Sequence, residues 1–377
     1  YKRQVQSHEQ ALERAEPGAR VALNLVGLDR GDVPRGAMLG RPGEWRTTDR
    51  LIASLRTVRD LEEPLRDRGA FHLHVGSGAF PARVRLLEQP GPAEPGAAVL
   101  TLDEPLPLKT GDRLILREVG RRAVVAGGAV LDPHPPRKGQ DLRAAVQVLE
   151  TAGPSPDDRA TALLSIRGID DLGHLAADTG GGRPSVDLVV GSEAVDPIRA
   201  RDLTAAAIET AGSYQSDHPH RPGIPKPSLA ERLGIGPPLL DALVAESDEL
   251  ADDGATVRTA GFSGGLDAAA EEAWAAVRAE LETAGLAVPR RAELDLDTEV
   301  VHALLREEKL VAVEDFGYLP SQLDGLVEAV RSMDDGFSVA DFRDRFEVTR
   351  KHAVPLLEWL DRTGVTRRDG DVRRIVG

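Results

Sequence analysis

Basic residues near the end of the chain have the types and spacing to hold phosphate. Thr349, Arg350, Lys351 and His352 stand where a long helical pattern begins. A helix start turns free N–H groups and the positive end of its dipole outward, which favours an anion. Arg367 and Arg368 lie in the adjoining hairpin, Arg373 follows its turn at Asp369-Gly370, and Arg343 and Arg345 lie on the preceding helix. Cations on a helix start and a neighbouring wing can straddle one nucleic-acid backbone, and the unpaired bases of an RNA loop can bond to the same residues. The competing reading is a solvated helix in which Arg343, Asp344, Arg345 and Glu347 pair among themselves. A second basic group is the REVGRR turn, with Arg117, Gly120, Arg121 and Arg122, inside residues 111–133. It reads as two strands joined by a tight turn and closed by a Gly-Gly corner. Phosphate contact competes there with a hairpin that Arg117 and Glu118 merely close.

Bond-breaking chemistry finds little support. The chain has no cysteine, so disulfides and thiolate metal sites are excluded. His72 with His74, and His218 with His220, lack carboxylates at ligand spacing and read as polar surface. No GxSxG is present, and no carboxylate pair stands out. No GxxxxGKS/T loop appears either, since Lys109-Thr110 has no glycine cradle. Neither enzymatic activity nor a metal is expected.

Of the 377 residues, formal charge sums to −15, but unevenly. Residues 1–137 carry about +3, 138–340 about −20 and 341–377 about +2. A phosphate polymer is repelled by the middle and docks only at the ends. No apolar run reaches the roughly 20 residues that span a bilayer. The chain opens on Tyr1, which reads as a piece of something longer.

Those side chains need elements to position them. Strand patterns cover 20–28 after the Glu16-Pro17-Gly18 turn, then 37–39, 51–57, 70–75, 82–87 and 97–102. In AFHLHV, Phe71, Leu73 and Val75 share one face, and His72 and His74 the other. Strands at about ten-residue spacing predict a small antiparallel barrel. After Pro135-Pro136 the pattern changes at Arg137-Lys138-Gly139 and becomes helical. A short helix, a tight turn, a longer helix and a hairpin recur, with longer helices near Pro237, Thr298 and Thr349. RRAELDL serves as the short helix of one copy. Ser228 with Glu231, and Ser338 with Asp341, read as N-terminal caps. This is the winged-helix pattern, and 141–196 reads as a degenerate copy.

The stretches QSHEQALERAEPGARVALNLVGLDRGDVPRG and PLPLKTGDRLILREVGRRAVVAGGAVLDP, followed by these repeats, resemble the bacterial selenocysteine-specific elongation factor SelB. The fold class this implies is multidomain: antiparallel β-barrels of translation-factor type, then a tandem array of α+β winged helices. The expected domains are 1–41, the end of the second translation-factor barrel; 42–136, the third-domain barrel; and winged helices at 137–198, 199–262, 263–317 and 318–377. The resemblance implies that the barrels bind selenocysteinyl-tRNA and that the last winged helix binds the selenocysteine insertion (SECIS) mRNA hairpin, for UGA recoding at the ribosome. It places Arg20 in the aminoacyl pocket, where a cation that cannot be deprotonated suits an ionised selenol. It puts Arg117, Gly120, Arg121 and Arg122 on the tRNA stem, and Arg343, Arg345, Thr349, Arg350, Lys351, His352, Arg367, Arg368 and Arg373 on the hairpin. Since the GTPase domain of the family has no counterpart here, GTP and Mg are expected outside this chain, which holds no cofactor itself. A cytoplasmic monomer without membrane contact is expected. The alternatives are a winged-helix DNA-binding transcription regulator and a protein-scaffolding module.

Overall fold

The structure, a computed structural model, describes residues 5–7, 10–16, 18–41, 44–136 and 142–376. The expected boundary at Arg137-Lys138-Gly139 and Pro17 of the first turn lie outside these. Two compact units divide the chain, residues 1–200 and 201–377.

In the first unit, β1 (Val5–Ser7), β2 (Gln10–Leu12) and β3 (Ala22–Leu23) form a small antiparallel sheet in the order β2-β1-β3. The strand expected over 20–28 shrinks to the two residues that pair with β1. The strand expected at 37–39 is absent, because Ala37 N–H turns back to the Pro34 carbonyl. Alternation makes a strand only where a partner edge is available. Val21, Leu23, Val26, Leu28, Met38 and Leu39 remain exposed.

The barrel follows. Strands β4 (Thr47–Thr57), β5 (Phe71–Val75), β6 (Gly78–Leu86), β7 (Gly96–Pro107), β8 (Arg113–Glu118) and β9 (Ala123–Asp132) close in the order β4-β7-β6-β5-β8-β9. Phe71, Leu73 and Val75 point inward, buried with Leu51, Leu55, Leu100 and Leu116. His72 and His74 point outward, as a period of two requires.

Helix α1 (Leu142–Thr151) sets Val146 against Ile52, Leu87, Ala97 and Val99 of the barrel. Then come α2 (Pro156–Arg167), β10 (Ile169–Asp171), α3 (Leu172–Thr179), β11 (Val189–Val190) and β12 (Glu193–Val195), with the sheet ordered β10-β12-β11. The sequence pattern did not disclose α3. Asp171 caps it, accepting from the N–H groups of Gly173 and His174. An irregular segment, 180–188, takes the place before the hairpin that a further helix holds in the later copies. The first copy is therefore degenerate in a defined way: its recognition helix is missing.

Helix α4 (Pro197–Asp217) runs across the division at residue 200 and is followed by β13 (Ile224–Pro225), α5 (Lys226–Leu233), α6 (Pro237–Ala245), β14 (Leu250–Asp252) and β15 (Thr256–Thr259). Ser228 does not cap α5, which starts two residues earlier with Pro225 at the cap. The third copy has α7 (Ala268–Ala284), α8 (Thr298–Arg306), β16 (Val311–Val313) and β17 (Phe316–Tyr318). Its expected short helix at RRAELDL is only a 3-10 turn, Arg291–Glu293, and its third strand is reduced to one bridge, Arg290 to Phe316. The fourth copy has α9 (Pro320–Arg331), β18 (Phe337–Ser338), α10 (Val339–Phe346), α11 (Arg350–Arg362), β19 (Thr366–Asp369) and β20 (Val372–Ile375). Its sheet is ordered β18-β20-β19, and Ser338 with Asp341 forms the expected capping box on α10. The second copy encloses its own core, whereas the third and fourth share one continuous core.

Candidate nucleic-acid interface

Helix α11 is held by its apolar stripe. Ala353, Leu356, Leu357 and Leu360 recur at helical spacing and are fully buried. This turns Arg350 and Lys351, in the first turn, outward to solvent. A tight corner precedes them: Glu347 adopts φ 51° and ends α10, and Val348 is buried beneath it. The wing β19–β20 places Arg367 and Arg368 on the same module, with Arg368 Nε donating to the Gly370 carbonyl at 3.1 Å. Among the described residues, Arg343, Arg345, Arg350, Lys351, Arg367 and Arg368 are exposed, and none is held in a close ion pair. The competing reading, in which Arg343 and Arg345 spend their charge on neighbouring carboxylates, does not describe this geometry.

Two residues assigned to this surface are elsewhere. Arg373 is 7% exposed. Its Nε lies 3.0 Å from Asp361 Oδ2, while Thr366 donates to the other oxygen of that carboxylate at 2.6 Å. It ties the wing to α11 rather than facing a ligand. The period of two explains this, since Arg373 sits on the inward face of β20, beside the outward Arg374. His352 is 3% exposed and belongs to the core, with its Nε2 2.9 Å from the Val288 carbonyl oxygen. It takes the inward position on the helix next to two outward ones.

The barrel turn also differs from a simple cationic finger. Arg117 Nη2 donates to the Arg122 carbonyl at 3.1 Å and so braces the turn. Arg121 faces the barrel's own carboxylates, 3.1 Å from Glu118 and 3.4 Å from Glu63. Its charge is spent locally, which corrects its place among outward contacts. Arg122, in the left-handed region at φ 52°, and Gly120 are exposed at the tip. Arg20 is exposed just before β3.

A groove of about 780 Å³ farther along the same hairpin escaped the sequence reading; Arg56, His74 and Arg113 line it with Gly127, Gly128 and Ala129. Strand register assembles it, pairing Arg56 and Ile115 with Gly127, and Arg113 with Ala129. A side chain at Gly128 would overlap the Ser54 carbonyl oxygen, so only glycine fits. The Gly-Gly corner was the available signal, but it carries no information about which cations lie across the strands.

Among the described residues, no group of three or more His, Asp or Glu side chains is placed to hold a metal ion. His218 instead lies 3.1 Å from Glu299, and His220 Nδ1 3.2 Å from the Gly265 carbonyl oxygen. No helix among the described residues is long and apolar enough to cross a membrane.

Comparison with known proteins bears on both ends of the chain. Residues 48–137 match the model of the selenocysteine-specific elongation factor beta-barrel domain, and residues 328–375 that of the elongation factor SelB winged helix. The selenocysteine-specific elongation factor of Desulfomicrobium baculatum is 27% identical over 99% of this chain and 64% of its own length. That of Escherichia coli K12 is 26% identical over 98% of this chain and 62% of its own. The chain thus spans under two thirds of these relatives. The crystal structure of a bacterial selenocysteine-specific elongation factor, EF-Sec, superposes with a TM-score of 0.60 at 18% identity, over 99% of this chain and 61% of that one, and so shares the fold. With a closed six-stranded barrel over 48–137 and a winged helix over 328–375 that match the models of the selenocysteine-specific elongation factors, the chain is SelB-like.

Proposed function

We propose that this chain is the RNA-holding part of a selenocysteine-specific elongation factor. The barrel binds selenocysteinyl-tRNA, and the last winged helix binds the SECIS hairpin of an mRNA, so that UGA is recoded at the ribosome in the cytoplasm. The observation that carries this reading is the set of unpaired, exposed cations around α11 and its wing: Arg343, Arg345, Arg350, Lys351, Arg367 and Arg368. Thr349 leads into that helix start. Phosphate contacts from these residues set the register, while loop bases supply specificity. On the barrel, Arg117, Gly120 and Arg122 at the turn and the groove of Arg56, His74 and Arg113 offer a second docking surface, suited to the shape and backbone of an RNA stem. Arg20 supplies the fixed charge that separates a selenolate ester from a serine ester.

In this reading the chain works as a monomer, and its own residues carry out no bond-breaking step. Lys109 lies over the Trp45 ring, 4.8 Å from its centroid, and Thr110 donates to the Leu131 carbonyl. Neither is free for a nucleotide phosphate, so GTP and Mg²⁺ are assigned outside these residues. A gel shift tests the reading, using a UGA-proximal RNA hairpin, duplex DNA of equal length and the full 377-residue chain. Preference for the hairpin supports it, preference for duplex DNA favours a transcription regulator, and binding to neither favours a scaffold. Arg350→Ala with Lys351→Ala is expected to weaken hairpin binding and lower its salt slope by about one to two counterions. An unchanged slope removes those residues from the interface.

A further inference from the structure

A histidine in the first turn of an RNA-reading helix would ordinarily be expected to face the ligand. Here it faces the other way, and both of its ring nitrogens are occupied. His352 Nε2–H donates to the carbonyl of Val288, in the third winged helix, at 2.9 Å. Nδ1 accepts from the Thr349 hydroxyl at 3.2 Å. The ring packs against Phe316 of that same third module, with centroids 4.7 Å apart. At 3% exposure an imidazole is costly to bury unless hydrogen-bonded, and this one is satisfied on both sides. Burial, with the Lys351 charge adding to it, holds the ring below the usual histidine range despite the Val288 bond, so it is neutral at pH 7.

The bond to Thr349 has a second consequence. Thr349 occupies the N-cap position of α11, where a threonine hydroxyl ordinarily accepts from the N–H two or three residues on. It makes no such bond here. The N–H groups of Arg350 and Lys351 have no protein partner among the described residues; those of His352 and Ala353 bond to the Thr349 carbonyl. One buried side chain thus anchors the helix start to a neighbouring module.

We propose that His352 is a positioning residue for RNA recognition: it fixes the first turn of α11 against Val288 and Phe316, so that the third winged helix sets the orientation in which the fourth presents Arg350 and Lys351. The proposal rests on the RNA-binding reading above. It assigns the third copy, which has lost its own short helix, the role of a template for the fourth.

The test uses the full chain with two substitutions. His352→Phe keeps an aromatic ring against Phe316 and removes both hydrogen bonds. His352→Gln restores a donor able to reach Val288. Hairpin affinity is expected to fall about tenfold in His352→Phe, the scale of a lost hydrogen bond. The salt slope is expected to stay unchanged, because the same phosphates are touched. His352→Gln is expected to recover most of the loss. If affinity measured well below the melting temperature is unchanged in His352→Phe, the residue is merely structural and the proposal fails. Amide hydrogen exchange in the RNA-free protein supplies an arm independent of binding. Exchange is expected to rise in the first turn of α11 in His352→Phe but not in its last turn, and equal exchange in both proteins overturns the anchoring. Should wild type not bind the hairpin at all, the functional reading falls, while the exchange arm still decides whether His352 positions the helix.

Discussion

Two joints between modules are built on different principles. Between the barrel and the first winged helix, an apolar seat for Val146 on Ile52, Leu87, Ala97 and Val99 is joined by a buried ionic cluster. Asp178, fully buried at the end of α3, receives Arg167 Nη1 at 2.8 Å and Arg46 Nη1 at 3.0 Å on one oxygen, and its other oxygen lies 2.9 Å from His134 Nδ1. Arg167 also reaches Asp132 of β9 at 2.8 Å and Asp170 at 2.6 Å. Between the third and fourth winged helices the contact is hydrocarbon: Trp274, Leu304, Phe316, Leu326 and Leu357 belong to one core, in which His352 is a neutral polar bond. A buried ion cluster fixes direction through a few short bonds but leaves a stranded charge if one member is lost. A shared apolar core spreads its stabilisation over many contacts and makes two modules melt as one. The barrel joint is therefore rigid in angle and vulnerable at a point, whereas the distal joint is tolerant at single positions and cooperative.

The contrast can be broken. The largest effect is expected from Arg167→Met, which takes the shared guanidinium from Asp132, Asp170 and Asp178, leaves Asp178 with Arg46 as its only arginine, and costs about 3–5 kcal/mol in the first unit. Urea unfolding followed by exchange in 142–200 checks this, and a loss under about 1 kcal/mol would mean that water already screens the cluster. Next comes Leu357→Ala, at about 2–4 kcal/mol for a fully buried leucine. Exchange is expected to rise together in α8 and α11. A rise confined to α11 would show that the third and fourth modules open separately.

Acidification separates the joints by window. Burial alone would raise Asp178, but the His134 hydrogen bond and the charges of Arg167 and Arg46 outweigh it and hold the carboxyl below its usual range. A depressed carboxylate stabilises fully above its unfolded value, near 3.8, and that contribution is lost as pH falls further. His352 is depressed from 6.5, so the unfolded state takes up its proton first and stability drains away as pH falls below that value. Between about pH 6.5 and 4.5 the distal joint is expected to loosen while Asp178 keeps its bonds. Exchange at the two joints measures this, with His352→Phe abolishing the distal step. Loosening of both in one window would void the distinction. The smallest effect is Asp267→Ala, away from both joints. It removes the cap bond to the Ala270 N–H and costs about 1 kcal/mol, read from the thermal midpoint.

Much of this architecture was legible in the residues. Alternation in AFHLHV announced a barrel strand, and apolar spacing marked α11 and its outward Arg350 and Lys351, whereas Gly127-Gly128, read as the corner that finishes the hairpin, lies inside β9, which runs on to Asp132. Where the reading failed, the reason was a partner it could not supply. The 20–28 pattern had too little edge to pair with. RRAELDL carries helix-compatible residues, yet only a 3-10 turn forms there. Helix α3 is too short for periodicity to register, and only the Asp171 cap betrays it. His352 and Arg373 looked identical in kind to their exposed neighbours, and one step of helix or strand phase turned them inward.

By itself, the order of residues determined which segments could be strand or helix and that cations gather at the chain's end, because periodicity and charge are local properties. Only the tertiary structure decided which of those cations face solvent, which carboxylates meet around Arg167, and that a histidine beside Lys351 points into another module. Those outcomes depend on side chains as many as 132 positions apart, as Arg46 and Asp178 are, and close packing settles such meetings without any trace in the intervening sequence.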